Sequence, residues 1–313
     1  MTEVCFYTSC TMTKSLPAAK SLSAASLSRS SGEKRAEQWR SRIDAWQGER
    51  RTAKELYCGG HWSVVRGLAE TEASNGLLSF VVSAGYGLVS TGTSLAPYAA
   101  TFALGHADSV AIEKGKAGPS ENVAWWNQLC AWRPAGVSGV RSICAAVKKW
   151  PQRVHLFALS PNYLDAISED LARARQQLAN PQNLIVISTG RKRHGDLNGN
   201  VLSAPADLQT LIGGALVSLN VRLAAEVLST IPGEELCLDE VRAFISDLRA
   251  EAKPRDIPKR EPMTDSEVVR FIKKAARSAD ARSYTTLLRS LRNSGRACEM
   301  KRFRELFRKI VTS

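Results

Sequence analysis

Four short, nearly continuous apolar runs stand out along the chain: Glu3 to Tyr7, Leu77 to Ser83, Arg153 to Leu159 and Leu184 to Ser188. Runs of this length without polar alternation predict strands covered on both faces. Stretches with helical spacing separate them. After a polar loop from Thr8 to Ser15, one such stretch runs from Glu33 through Trp39 and Ile43 to Trp46, and another begins at Thr52 and is interrupted by Gly59-Gly60 before His61. Asn122 to Trp150 reads as helical with a break at Pro134-Ala135-Gly136, and two more helices are predicted over Ala206 to Ile231 and Leu238 to Ala252. Strands and helices therefore alternate, which predicts an α/β fold with a mostly parallel sheet flanked by helices.

The pattern changes after Ala252. Lys253 to Pro262 holds three prolines among charged residues, and 253–263 reads as a linker. Three amphipathic segments follow, Asp265 to Arg277, Tyr284 to Asn293 and Cys298 to Val311, with apolar residues three or four apart, such as Leu287, Leu288 and Leu291. They predict a small C-terminal helical bundle over 264–313, of helix-turn-helix size, attached to an α/β domain over 1–252.

Charge sharpens this division. The 313-residue chain has a formal net charge of +13, and residues 253–313 hold 17 Lys+Arg against 7 Asp+Glu, which leaves only +3 for the rest. Such an excess favours a polyanionic partner over a small acidic metabolite, and it places the polyanion-seeking part in the bundle. A nucleic acid is the expected partner. Arg289, Arg292, Arg296, Lys301 and Arg302, on the last two helices and the turn between them, are the candidate phosphate contacts, each releasing counterions on binding.

The remaining chemistry is mostly exclusion. Seven cysteines without framework spacing predict reduced thiols in a cytoplasmic protein, and no apolar run approaches a membrane span, so no membrane association is expected. Cys58-Gly59-Gly60-His61 supplies half of a zinc-ligand pattern with no second pair, so no metal is expected. With no Walker loop, GxGxxG or Ser-His-Asp order, no cofactor is expected either.

Three loops each follow a predicted strand on one edge of the sheet: Thr8 to Ser15, Ser160-Pro161-Asn162-Tyr163, and Thr189 to Asp196 with Arg191, Lys192 and Arg193 together. They combine hydroxyls, an amide, a cationic cluster and a carboxylate. That set suits a polar base or sugar held beside phosphates.

The first hundred or so residues also carry a likeness. Ser9-Cys10 at the end of the first strand with Lys14 shortly after, then Leu56-Tyr57, Ser83-Ala84-Gly85-Tyr86-Gly87-Leu88 and Ala96-Pro97-Tyr98, resemble the YaaA-like group. The arrangement is similar to the uracil-DNA-glycosylase-like α/β fold. The resemblance implies modified-base chemistry on DNA, and it extends to antiphage DNA glycosylases that remove glucosylated hydroxymethylcytosine from phage DNA. Two departures stand out: the loop after the first strand has no acidic residue, and Ser160-Pro161-Asn162 matches the His-Pro-Ser element of the uracil enzymes only loosely. In a glycosylase acting on double-stranded DNA, Asp196 is the candidate expected to face the sugar as it becomes cationic. Asn162, His194 and Ser9 are expected to grip or protonate the base with Ser160 beside them, Tyr86 and Tyr98 to stack on it, and Lys14, Arg191 and Lys192 to hold phosphates. A non-enzymatic DNA binder whose body senses a ligand, or a base-exchange enzyme on DNA or RNA, would use the same pocket.

Overall fold

The computed structural model of the chain describes residues 3–29, 32–70, 76–112, 118–190, 195–197, 199–255, 259–275 and 283–311. It divides into two compact units, Met1–Pro254 and Arg255–Ser313.

The four apolar runs form the strands β1 (Val4–Ser9), β2 (Leu77–Ser83), β4 (Val154–Leu159) and β5 (Leu184–Ser188); two short strands, β3 (Gly87–Ser90) and β6 (Val201–Ser203), complete a six-stranded sheet. Its order is β3-β2-β1-β4-β5-β6, and every neighbouring pair is parallel except the β2–β3 hairpin. The sheet sits in the middle of the core, and every residue of β1, β4 and β5 is buried. β1 shows why. Tyr7 stacks on Phe157 and lies beside Phe80 on one face, while Thr8 on the other face reaches His61. An apolar run covered on both faces is the pattern a doubly flanked parallel sheet requires.

One helical layer contains α1 (Gly32–Asp44), α3 (Gly118–Ala131), α4 (Ile143–Lys149) and α5 (Pro161–Gln176), and the other contains α2 (Gly60–Glu70) and α6 (Leu219–Thr230), with α7 (Leu238–Glu251) closing the unit. The α5 sequence is set for this role: Pro161 starts it after the N-cap Ser160, and Tyr163, Leu164, Ile167, Leu171 and Ala174 recur at helical spacing on its buried face. Asp170 on the same helix is 2% exposed yet well satisfied, accepting hydrogen bonds from Trp126 Nε1 and from the backbone N–H groups of Ile143 and Cys144 at the start of α4. The segment expected as one helix over 206–231 is broken instead: Gly213 and Gly214 both take φ 73°, and α6 begins only at Leu219. No single helix among the described residues is long and apolar enough to cross a membrane, and all seven cysteines are free.

The second unit folds around its own core. Helices α8 (Asp265–Ala275), α9 (Tyr284–Asn293) and α10 (Met300–Val311) enclose Val268, Ile272, Leu287, Leu288, Leu291, Cys298 and Phe303. Thr264 and Glu267 form a reciprocal cap on α8, and Glu299 accepts from the Lys301 and Arg302 N–H groups at the start of α10. Part of the expected linker belongs here: Glu261-Pro262 pairs in parallel with Arg296-Ala297.

The buried histidines carry a testable pH dependence. His155 is fully buried; its Nδ1 accepts from the Tyr7 hydroxyl at 2.8 Å and its Nε2–H donates to the Trp150 carbonyl at 3.0 Å, an arrangement that requires the neutral ring. Burial pulls its pKa from 6.5 to about 4, and burial does the same to His61. The folded pKa lies below the unfolded one, so the unfolded chain binds more protons between these limits. Stability is then full above about pH 6.5 and falls as the pH drops toward 4, by on the order of 1 kcal/mol per pH unit for His155. Urea unfolding at several pH values should show this fall and a shallower one for His155→Gln; equal slopes would contradict it.

Candidate functional site

In a parallel sheet whose chain leaves the first strand toward one edge and later returns to build the other, a crevice opens at the carboxyl ends of the strands where the direction reverses. Here the reversal lies between β1 and β4. The residues that follow those strands meet across it: the Cys10 thiol and the Tyr163 hydroxyl, on the first turn of α5, are 3.1 Å apart.

The loop after β1 is fixed by backbone pairing. Lys14 bridges to Tyr57, Ser15 N–H donates to the Leu56 carbonyl, and Cys58 N–H donates to the Thr13 carbonyl. Tyr57 is held in turn by a short helix, Ala53–Leu56, whose Thr52–Glu55 capping box satisfies its first turn. These pairings fold the half-buried Lys14 over two rings: its Nζ donates to the Thr11 carbonyl at 2.8 Å and lies 4.2 Å from the Tyr98 ring centre and 5.5 Å from that of Tyr57. Below it, the hydroxyls of Tyr57, Tyr98 and Ser83 bond one another, with Tyr57 and Tyr98 2.8 Å apart and Ser83 2.7 Å from Tyr98. The Ser83 oxygen also accepts from the Gly85 and Tyr86 N–H groups, which ties the network to the β2–β3 turn. Gly85 is required there, since a Cβ at that position would lie 2.5 Å from the Tyr98 ring.

Electrostatics follow from this burial. Tyr57, Tyr98 and Tyr163 are pushed well above the ordinary tyrosine range by desolvation, so they stay protonated and act as hydrogen-bond donors. Lys14 is pulled from 10.5 to about 8, because burial outweighs the attraction of Cys10 and Asp108. No carboxylate lies within 4 Å of its amine among the described residues. A ring face attracts an ammonium by about 0.5–2 kcal/mol, which is less than full desolvation of a cation costs. Buried hydroxyls, a thiol and an amine with a lowered pKa therefore lie together at these strand ends.

The start of the third loop, Thr189-Gly190, lies at the same edge. Gly190, after β5, packs so closely on α5 that a Cβ there would be 2.8 Å from Pro161 Cγ. Asp196 follows on a 3-10 turn, Gly195–Leu197. Arg191, Lys192 and His194 lie outside the described residues.

The expected site residues divide accordingly. Lys14 and Ser160 border the crevice, and Asn162 is exposed on the first turn of α5. Ser9 is buried, with its carbonyl accepting from Trp62 Nε1. Tyr98 has its ring under Lys14 and its hydroxyl turned inward, so it supports the amine and has no face free for a base. Tyr86 is fully buried, its hydroxyl accepting from the Ala96 N–H and its ring stacked near Trp132; it is a core residue and not a stacking platform. His61 is tied to Thr8 at 2.6 Å. Cys10, Tyr57, Ser83 and Tyr163 were not expected as site residues. All four lie in stretches singled out in the sequence, Ser9-Cys10, Leu56-Tyr57, Ser83 to Leu88 and Ser160 to Tyr163, but nothing local signalled their convergence.

In the second unit, three of the five expected phosphate contacts also serve the fold. Arg302 pairs with Asp265 at 2.5 Å, Arg296 with Glu261 at 2.7 Å, and Arg292 donates to the Cys298 carbonyl. Arg289 and Lys301 are exposed and carry no side-chain partner among the described residues.

Comparison of the chain with family models, with curated proteins and with solved structures returns no match. The class that the fold defines is an α/β protein with a mostly parallel six-stranded sheet flanked by helices, followed in the chain by a basic helical unit.

Proposed function

We propose that the α/β unit is a DNA N-glycosylase of the uracil-DNA-glycosylase-like kind, and that it excises a modified base, glucosylated hydroxymethylcytosine, from phage DNA in antiviral defence. The observation that carries the proposal is the switch-point crevice, where buried O–H donors and a poorly solvated amine converge in a chain that also has a cationic helical unit. Such an enzyme must take the nucleotide out of the stack, at a cost of a few kcal/mol. Cations offset this by gripping the flanking phosphates. Cleavage then builds positive charge on the sugar and negative charge on the base. Tyr163, which burial keeps protonated, suits the departing base as a donor, and Asp196 supplies the carboxylate for the sugar. Among the described residues, Asp108 accepts from the Ser23 hydroxyl and the Ala25 N–H, and Asp170 is enclosed by its three donors.

The test is incubation with unmodified, hydroxymethylated and glucosylated duplexes followed by hot alkali. Strand breaks at modified positions are expected. Intact strands in all three, with binding retained, would leave a DNA-binding protein without this activity.

A further inference from the structure

We propose that Lys14 is the amine nucleophile of this site, its Nζ attacking C1′ of the extruded nucleotide to give a covalent sugar–enzyme intermediate. The inference rests on the glycosylase reading and specifies its chemistry. Three features of the geometry favour it. The amine sits on the crevice side of β1 over the Tyr98 and Tyr57 rings, with the Thr11 carbonyl as its hydrogen-bond acceptor. No carboxylate within 4 Å holds it as an ammonium among the described residues. The rings beneath it are immobilised by the three-hydroxyl network and by the fit of Tyr98 against Gly85. A lysine meant only to grip phosphate does better in water, where it keeps its charge and its reach. Burial pulls its pKa from 10.5 to about 8, so more of the amine is neutral near pH 7.5 than for an exposed lysine.

The Nζ lone pair forms the bond to C1′ as the C1′–N bond to the base breaks; the base leaves with that electron pair and takes up a proton, and the attacking nitrogen loses one. The sugar ring then opens, its oxygen leaving C1′ with the ring C–O electrons and gaining a proton, while the remaining nitrogen lone pair forms the C1′=N iminium. Water hydrolyses the iminium to the abasic sugar and frees Lys14. Borohydride, added as a reductant, delivers hydride to C1′ and converts the iminium into a stable secondary amine.

The experiment uses full-length protein with sodium borohydride and two duplexes, one with a preformed abasic site and one with the modified base. Free base is measured in the same tubes. Wild type should give a covalent protein–DNA band on both, with the cross-linked peptide containing Lys14. Lys14→Arg, which keeps the charge over the rings, and Lys14→Gln should lose that band while retaining the wild-type melting temperature. A band that survives both substitutions and maps to another lysine overturns the proposal. Release of free base without any adduct also overturns it and leaves the excision reading standing. An adduct at Lys14 on the abasic duplex without base release from the other overturns both the displacement of the base by Lys14 and the excision reading.

Discussion

Removal of residues 255–313 is expected to weaken binding to duplex DNA by roughly a hundredfold or more at moderate salt, while the remaining α/β unit stays folded. The deleted stretch has a net charge of +9 and leaves +4 on residues 1–254. Folding should survive because the two units have separate cores and separate hydrogen-bonded caps. Every phosphate that the protein no longer neutralises flattens the dependence of log affinity on log salt by about 0.9, so the slope is as informative as the affinity. Fluorescence anisotropy over a salt series measures both. Arg289→Ala combined with Lys301→Ala should reproduce part of the flattening without affecting stability, because neither side chain holds the bundle together. Arg302→Ala should instead lower the stability of the bundle, because Arg302 joins α10 to Asp265. An unchanged slope in the truncated chain would remove the helical unit as the DNA anchor.

The second large effect is expected at Asp196. Asp196→Asn keeps size and hydrogen bonding and removes only the charge. If the carboxylate stabilises a cationic sugar, single-turnover excision should fall about a hundredfold or more, with DNA affinity unchanged or slightly raised because a negative charge near phosphates is gone. It lies on the 3-10 turn Gly195–Leu197, which follows β5 in the chain. If Asp196 serves only the turn, the rate is unchanged and stability drops slightly. Excision at the wild-type rate by the Asn variant would remove it from the mechanism and leave Lys14 as the group that meets the sugar.

Much of this architecture was legible in the chain because its strands are buried on both faces. A continuous apolar run such as Leu184–Ser188 has no competing period, and the helices behind it keep their spacing. What escaped had a short or ambiguous signal. β6 has only three residues, and β3 begins at Gly87, whose φ of 71° makes the approach to it read as a plain loop. The break at Gly213-Gly214 was hidden because apolar periodicity continues across it. The edge of the sheet that carries the site was predictable from strand order, since loops after parallel strands share one edge. Its chemistry was not. Cys10 and Tyr163 are 153 residues apart, and no local pattern announces their approach. Lys14 was expected as a phosphate ligand from its place in the loop after the first strand; the pairing of that loop with Tyr57 is what places it on two rings, and with that placement comes its lowered pKa.

The central claim is that the crevice between β1 and β4 breaks an N-glycosidic bond. Its most direct test is mass spectrometry of the free base released by full-length protein, in excess over a duplex that carries glucosylated hydroxymethylcytosine, with an unmodified duplex alongside. The account predicts release of the modified base in amounts equal to the abasic sites formed, and none from the unmodified duplex. Recovery of the glucosylated nucleotide intact from duplex that the protein has bound would contradict it.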